Sequence, residues 1–329
     1  MAASYTAATI RMAAPGGPEM LKTGQVQFDG LAPNEAWVVH EAIGVNFLDV
    51  MQRSGSVVIP TPSGLGLEAA GRVAAVGSAV SEGSVGDRVA YALGPIGAYA
   101  TARPYPAERL VRLPDSISCE SAAAITFKGI TAQYLLKSTF PVGPGTTVLL
   151  YGVAGALGQL MVPWAKHLGA TVIGVVSKRT SIIVAQSRGC DEVLVWGECD
   201  VPAEVHRITN GRKADVVYDG VGKATFSASL DSLRARGMMV SIGASSGAPD
   251  PVAVGTLNAK GSLFLTRPSL AAHATDVQEY RARVQDVYAA FNDGIISADI
   301  WKAFALEEAV QAHAALENGS SKGPVILKP

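Results

Sequence analysis

A doubly wound parallel α/β sheet set inside a mostly β domain is the architecture this sequence predicts, and three observations predict it. Thr147–Tyr151 is a short β-branched and aliphatic run of the kind buried on both faces of a parallel strand. The glycine turn Gly152-Val153-Ala154-Gly155-Ala156-Leu157-Gly158 follows, and Leu157, Leu160, Met161, Trp164 and Leu168 then recur at helical spacing. Short strands alternate with helices from there to Thr266, whereas residues 1–120 read as short strands punctuated by Pro and Gly.

In chain order, Ala8–Met12, Ala36–Ala42, Gly71–Val76 and Asp87–Ala90 are the first strands. Pro15-Gly16-Gly17-Pro18, Pro60-Thr61-Pro62, Gly77 and Gly86-Asp87 turn the chain between them, so a partly open barrel is expected. Ser121–Thr139 is Ala-rich and helical in pattern. After the Thr147–Tyr151 strand come Thr171–Val176 (strand), Arg179–Arg188 (helix, stopped by Gly189) and Glu192–Trp196 (strand). Pro202–Thr209 (helix, stopped by Asn210-Gly211), Ala214–Tyr218 (strand), Phe226–Leu233 (helix), Gly237–Ile242 and Gly261–Thr266 (strands) continue the alternation. Beyond Arg267-Pro268, Val277, Tyr280, Val284, Val287, Tyr288 and Phe291 form one face of a helix that Gly294 ends. A helix around Glu307–Glu317 and a strand, Val325–Leu327, finish the chain. These last pieces are too few for a core of their own and are expected to pack on the first domain. The domains are therefore read as 1–120 plus 268–329, with 121–267 inserted.

Composition narrows the function. The 329 residues are 48% hydrophobic and 17% charged, enough apolar material for two full cores. A net charge of −1 gives no whole-molecule attraction to nucleic acid or to an anionic membrane. Cys119, Cys190 and Cys199 are odd in number and far apart, which suggests reduced thiols in the cytoplasm and not a disulfide framework. Met1-Ala2-Ala3-Ser4-Tyr5 shows no charged-then-apolar secretion signal. Thr146–Ala165 carries no charge, but its glycines, Pro163 and the βα alternation that follows argue against a membrane span.

A strand, a tight glycine turn and a helix hold a dinucleotide pyrophosphate, because glycine lets the backbone approach and the helix N-terminus presents unpaired N–H groups. In the G-x-G-x-x-G pattern Val153 takes the first glycine place, and Gly155 and Gly158 the other two. After the second strand the sequence reads Ser177-Lys178-Arg179 with no acid. A carboxylate there would bind a ribose 2′-OH; Lys178 and Arg179 instead suit a 2′-phosphate, so NADPH is the expected coenzyme. No metal is expected. Leu67, in Gly66-Leu67-Glu68, stands where a zinc alcohol dehydrogenase carries a ligand histidine, and no cysteine lies near Asn46. His40, His167, His206, His273 and His313 are scattered and read as surface or capping residues.

With these features in hand, the chain resembles the zinc-free quinone oxidoreductases, the zeta-crystallin-like branch of the medium-chain dehydrogenase/reductase superfamily, over essentially its whole length. The resemblance is carried by Val45-Asn46-Phe47-Leu48-Asp49, Arg53-Ser54-Gly55, Gly64-Leu65-Gly66-Leu67-Glu68-Ala69-Ala70-Gly71, Gly86-Asp87-Arg88-Val89 and Phe127-Lys128-Gly129-Ile130-Thr131. Val217-Tyr218-Asp219-Gly220-Val221-Gly222, Ser245-Ser246-Gly247, Leu257-Asn258-Ala259-Lys260-Gly261-Ser262-Leu263 and Thr266-Arg267-Pro268-Ser269-Leu270 extend it. It implies a GroES-like catalytic domain, a Rossmann domain, and NADPH in a cleft between them. Asn46, Asp49 and Arg53 would face the nicotinamide and substrate, with Asp49 alternatively a helix-capping carboxylate. Lys128, Gly129 and Thr131 would lie along the coenzyme. Ala154, Gly155, Ala156 and Leu157 would contact the pyrophosphate, and Gly243, Ser245, Phe264, Thr266 and Arg267 the nicotinamide half. Two places depart from the family pattern. Met51 replaces an active-site tyrosine of many relatives. Trp196 replaces a tyrosine that often reaches the adenosine phosphate, and Ser181 replaces a lysine that some members use for the same phosphate.

The chemistry implied is hydride transfer from NADPH to a quinone, whose reduced anion is aromatic and needs neither metal nor dedicated acid. Reduction of the C=C bond of an enone or enal is the alternative, with Asn46 and Arg53 polarising the carbonyl. A non-catalytic NADPH-binding structural or RNA-binding protein is the third reading, against which stands the lack of interleaved basic and aromatic residues. The apolar edge Leu263-Phe264-Leu265 leads us to expect a homodimer.

Overall fold

The computed structural model describes residues 4–329; Met1–Ala3, part of the stretch read for a secretion signal, lie outside the described residues. The chain forms two compact units. One holds the chain up to Ile130 with Thr275–Asp293 and Ser297–Pro329; the other holds Thr131–Ala274 with Gly294–Ile296.

In the first unit the strands in order are Ser4–Met12 (β1), Lys22–Asp29 (β2), Glu35–Val45 (β3), Ser63–Gly64 (β4), Glu68–Val76 (β5), Arg88–Ala92 (β6), Ala102–Pro106 (β7) and Val111–Arg112 (β8). The long strand β3 is the pivot. It pairs antiparallel with β5 (Ile43 opposite Ala69), with β7, and with the C-terminal strand Val325–Lys328 (Gly44 opposite Ile326). That last pairing explains why the chain's end belongs with its beginning. Two register shifts, at Trp37/Val38 and His40/Ala42, bend β3 as bulges do. The apolar residues Ile43, Leu65, Tyr91, Tyr99, Tyr105 and Leu327 fill the core between these strands. Helix α1 (Phe47–Ser54) follows β3 after a single residue, and α2 (Cys119–Tyr134) runs on through a π-helical turn, Leu135–Thr139. The expected helix Ser121–Thr139 is thus two kinds of helix in series.

The second unit is a six-stranded parallel sheet of Thr147–Tyr151 (β9), Thr171–Val176 (β10), Glu192–Val195 (β11), Ala214–Asp219 (β12), Leu233–Ser241 (β13) and Phe264–Thr266 (β14), ordered β11-β10-β9-β12-β13-β14. β9 is buried at every residue, as a central parallel strand must be. The order runs away from β9 in both directions, which puts the topological switch beside it, at the turn that leads into helix α3 (Gly158–His167). Leu233, expected to close a helix, opens β13 opposite Ala214. β14 starts at Phe264 and not at Gly261, because Gly261 (φ 108°) and Ser262 (φ 55°) turn the backbone out of the extended region.

Two histidines correct the sequence reading. His40 and His313 are buried, not superficial. His40 pairs through Nδ1 with the Ala100 carbonyl (2.7 Å) and through Nε2 with the Tyr91 hydroxyl (3.0 Å). Among the described residues no helix is long and apolar enough to cross a membrane.

Candidate functional site

In the first unit the candidate residues gather where β3 meets α1. Asn46 is the extended N-cap (φ −121°, ψ 151°), and Asp49, three residues on, accepts its backbone N–H at 2.8 Å. This is the capping carboxylate considered from sequence, satisfying a donor that the first turn leaves free. The Asn46 side chain turns elsewhere, its Nδ2 donating to Glu68 Oε2 at 2.9 Å. Glu68 also accepts the Phe127 N–H on Oε1 (2.6 Å), and Lys128 Nζ stands 3.6 Å from Oε2, an ion pair longer than a hydrogen bond. Glu68 thereby joins Asn46, at the head of α1, to Lys128 on α2, and all three are buried. Gly44 leaves the room: a Cβ there would overlap the Glu68 carboxylate and the Ala123 carbonyl. The sequence motifs contain Glu68 without marking it as a site residue, although a glutamate heading the buried run Glu68–Gly71 was the available signal.

Behind this junction lies a second set of buried polar groups. Tyr99 donates its hydroxyl to Asp49 Oδ2 (3.0 Å) and meets His313 Nε2 at 3.0 Å. Arg53, on the same helix as Asp49, pairs through Nη2 with Glu317, while its Nε and Nη1 have no hydrogen-bond partner among the described residues. Asp49 Oδ1 is likewise unpartnered. Burial pushes the Asp49 carboxyl up to about 7, against the pull of its hydrogen bonds to Asn46 and Tyr99. Burial also raises Glu68, opposed by Lys128, and holds His313 down at about 3. Met51 occupies the middle of α1, half-buried, and brings no polar group to this cluster.

In the second unit the glycine turn stands open. Gly152 has φ 72°, and a Cβ there would meet nothing within 4 Å; one on Gly155 would meet only the Gly152 carbonyl, at 3.2 Å. Gly158 is different: its Cβ would sit 2.5 Å from Val153 Cα, so only glycine lets α3 start this close to the turn. Ala154, Ala156 and Leu157 are partly exposed between these glycines. Ser177, Lys178 and Arg179 are exposed just past β10. Trp196 follows the adjacent β11, its N–H bonded to the Val176 carbonyl (2.8 Å) and its ring edge-on to Tyr151 at 6.0 Å.

Gly243 and Ser245 follow β13. A Cβ on Gly243 would approach the Gly220 carbonyl to 2.7 Å, and Ser245 N–H donates to that same carbonyl at 3.2 Å. The loop carrying Gly220 is tied by Asp219, a wholly buried carboxylate that accepts from Val221 N, Gly222 N, Thr225 Oγ1 and Ser229 Oγ at 2.7–3.0 Å. Asp219 lies in the motif Val217–Gly222, whose sequence alone does not mark it as a loop anchor. Phe264 and Thr266 lie on the edge strand β14, and Arg267 reaches back toward Ser241 Oγ at 3.4 Å. Thr131 is half-buried on α2. The structure thus brings Asn46, Asp49 and Lys128 into one hydrogen-bonded and ion-paired group, and Ser177–Arg179 beside Trp196. Among the described residues no group of three or more His, Cys, Asp or Glu is placed to hold a metal ion.

Comparison with known proteins gives two family matches, Alcohol dehydrogenase GroES-like domain over 32–115 and Zinc-binding dehydrogenase over 156–284. The chain is 42% identical to a quinone oxidoreductase of Pseudomonas aeruginosa, over 97% of its own length and 99% of the relative's. It is 40% identical to a 2-haloacrylate reductase of a Burkholderia species, over 95% of its own length and 96% of the relative's. Among solved structures, Escherichia coli quinone oxidoreductase complexed with NADPH superposes with a TM-score of 0.95 at 40% identity, covering 99% of this chain and all of that one.

Proposed function

We propose that this chain, which belongs to the zinc-free quinone oxidoreductase family of the medium-chain dehydrogenase/reductase superfamily, transfers hydride from NADPH to a quinone. Its likeness to quinone oxidoreductases from end to end carries the reading. The residues present fit the coenzyme. The turn at Gly152–Gly155 leaves an open cradle that side chains would fill, at the head of a helix whose N–H groups suit a pyrophosphate. Lys178 and Arg179 supply cations for the 2′-phosphate, with Ser177 and Trp196 beside them. Ala154–Leu157 hold the pyrophosphate, Lys128 and Thr131 line the coenzyme, and Gly243, Ser245, Phe264, Thr266 and Arg267 receive its nicotinamide half. NADPH, when bound, supplies the hydride.

The chain's own work is orientation. Glu68 fixes both the Asn46 amide and the Lys128 ammonium, so neither has to reorganise when an acceptor arrives. Asp49 locks the first turn of α1 and with it Asn46. Arg53, buried and paired with Glu317 through Nη2, ties the last turn of α1 to the helix that ends at Glu317. The quinol anion is stable enough to take its proton from water.

Reduction of an activated C=C bond is the second reading, favoured by the likeness to the 2-haloacrylate reductase. Both acceptors take hydride from NADPH, so one assay compares them: NADPH oxidation followed by absorbance, with a benzoquinone and with a short enone, each with and without a chelator. The expected result is quinone turnover at least tenfold faster than enone turnover and indifferent to the chelator. Faster enone turnover would move the protein to the second reading.

For assembly, the edge strand β14 carries Phe264 at 57% and Leu265 at 36% exposure, an unpaired apolar edge that suits strand pairing with a second copy about a two-fold axis. Three free cysteines fit a reducing compartment, the cytoplasm.

A further inference from the structure

Strands β10 and β11 are neighbours in parallel register, Val176 opposite Val195, so the loops that leave their C-terminal ends run side by side. The first loop carries Ser177, Lys178 and Arg179; the second carries Trp196, Gly197 and Glu198. The second loop is tightly turned, with Glu198 N–H donating to the Val195 carbonyl at 3.1 Å. Across the two loops Arg179 and Glu198 form a two-pronged ion pair, Nε to Oε1 at 3.0 Å and Nη2 to Oε2 at 2.6 Å. One of the two cations offered to the coenzyme's 2′-phosphate is therefore already matched by an acid. That acid comes from a loop in which sequence reasoning looked only at the tryptophan.

We infer that Glu198 is a specificity-determining residue for the coenzyme, competing with the 2′-phosphate for Arg179 and so restraining the preference for NADPH over NADH. The inference rests on the coenzyme reading proposed above. Its physical basis is twofold. The Arg179 fork binds one carboxylate or phosphate at a time in its best, two-pronged geometry. A phosphate monoester near two negative charges is also repelled by a carboxylate a few ångströms away, whereas the uncharged ribose 2′-OH of NADH is not. The pair is exposed, Arg179 at 76% and Glu198 at 40%, so it contributes little to folding and the doubly charged phosphate can displace it. Glu198 therefore acts on the ratio of the two coenzymes, with Lys178 carrying most of the attraction for the phosphate in the native protein.

The test is kcat/KM for NADPH and NADH with one quinone, in the native protein and in Glu198→Gln, Arg179→Gln and the double variant, alongside binding of 2′,5′-ADP and 5′-AMP. Glu198→Gln is expected to raise the NADPH/NADH ratio by about tenfold, from release of the Arg179 fork and loss of the nearby negative charge together, and to tighten 2′,5′-ADP but not 5′-AMP. In the Arg179→Gln background the competition is gone and only the direct repulsion is relieved, so the same substitution should raise the ratio less. An unchanged ratio in Glu198→Gln, with quinone turnover intact, would overturn the inference and leave the proposed function standing. Weaker NADH binding in Glu198→Gln would overturn it too, by showing that the acid holds a ribose 2′-OH. Failure of every form to bind either nucleotide would sink the coenzyme reading together with it.

Discussion

Glu68→Ala is expected to lower the stability of the protein by about 3–5 kcal/mol, the usual cost of removing one partner of a buried ion pair. Glu68 has no exposed surface, and its carboxylate receives the Asn46 amide, the Phe127 N–H and the Lys128 ammonium. The alanine variant takes this acceptor from the Asn46 amide and the opposing charge from the Lys128 ammonium, in a place water does not reach. Glu68→Gln is expected to cost less, because its amide oxygen still accepts one of the two hydrogen bonds while the charge opposite Lys128 is gone. Both variants should lose at least tenfold in quinone turnover, since Asn46 and Lys128 are no longer held. Denaturant unfolding and steady-state kinetics read the two effects. An alanine variant that unfolds at the native midpoint would show that Glu68 does not organise this cluster.

The second large effect is a change in the pH dependence of stability in Asp49→Asn. Burial raises the native carboxyl from an ordinary 3.8 to about 7, so the folded protein keeps a proton that the unfolded chain gives up. The contribution of this group is fully present below about pH 4 and is lost as pH rises through about 7. Three pH units at about 1.4 kcal/mol each make that loss roughly 4 kcal/mol. Asparagine cannot ionise, and its oxygen can still accept from Asn46 or Tyr99. The variant should therefore gain about 4 kcal/mol relative to the native protein between about pH 4 and pH 8.

His40 and His313, held neutral by burial at about 4 and about 3, work in the opposite direction. Their contribution is present above the ordinary histidine value and is lost as pH falls through those lower values. The comparison of variant with native protein cancels them. Parallel stability curves for the two proteins would refute the buried, proton-retaining Asp49.

The Rossmann half was legible because its signals are local. Thr147–Tyr151 and Thr171–Val176 have the predicted bounds, since a strand buried on both faces is a continuous apolar run and its neighbours are helices of a different period. The β half was less legible. Lys22–Asp29 shows one weak alternating face among polar residues, and Lys302–Ala305 is a short strand whose only buried residue is Phe304. Their place in the sheets is decided by partners far along the chain, not by their own composition. Helix α1 was hidden for the same reason: Phe47–Ser54 mixes buried Asp49, Gln52 and Arg53 with exposed Phe47, reversing the usual code.

The candidate site divides likewise. The glycine turn and Ser177–Arg179 could be read from their residues and spacing. The partners of Glu68, and the roles of Tyr99, His313 and Glu198, could not, because each acts on a residue distant in sequence: Asn46 is 22 residues from Glu68, and His313 is 214 from Tyr99.

The most direct test of the central claim is an anaerobic single turnover of the protein with NADPH carrying deuterium at the transferred position, mixed with a benzoquinone. One coenzyme oxidised per quinone reduced, slowed about two- to fivefold by deuterium and with the label lost from the nicotinamide, is the result predicted for hydride transfer at this site. Coenzyme that stays reduced, or quinone reduction that is indifferent to the label with deuterium retained on the nicotinamide, would contradict it.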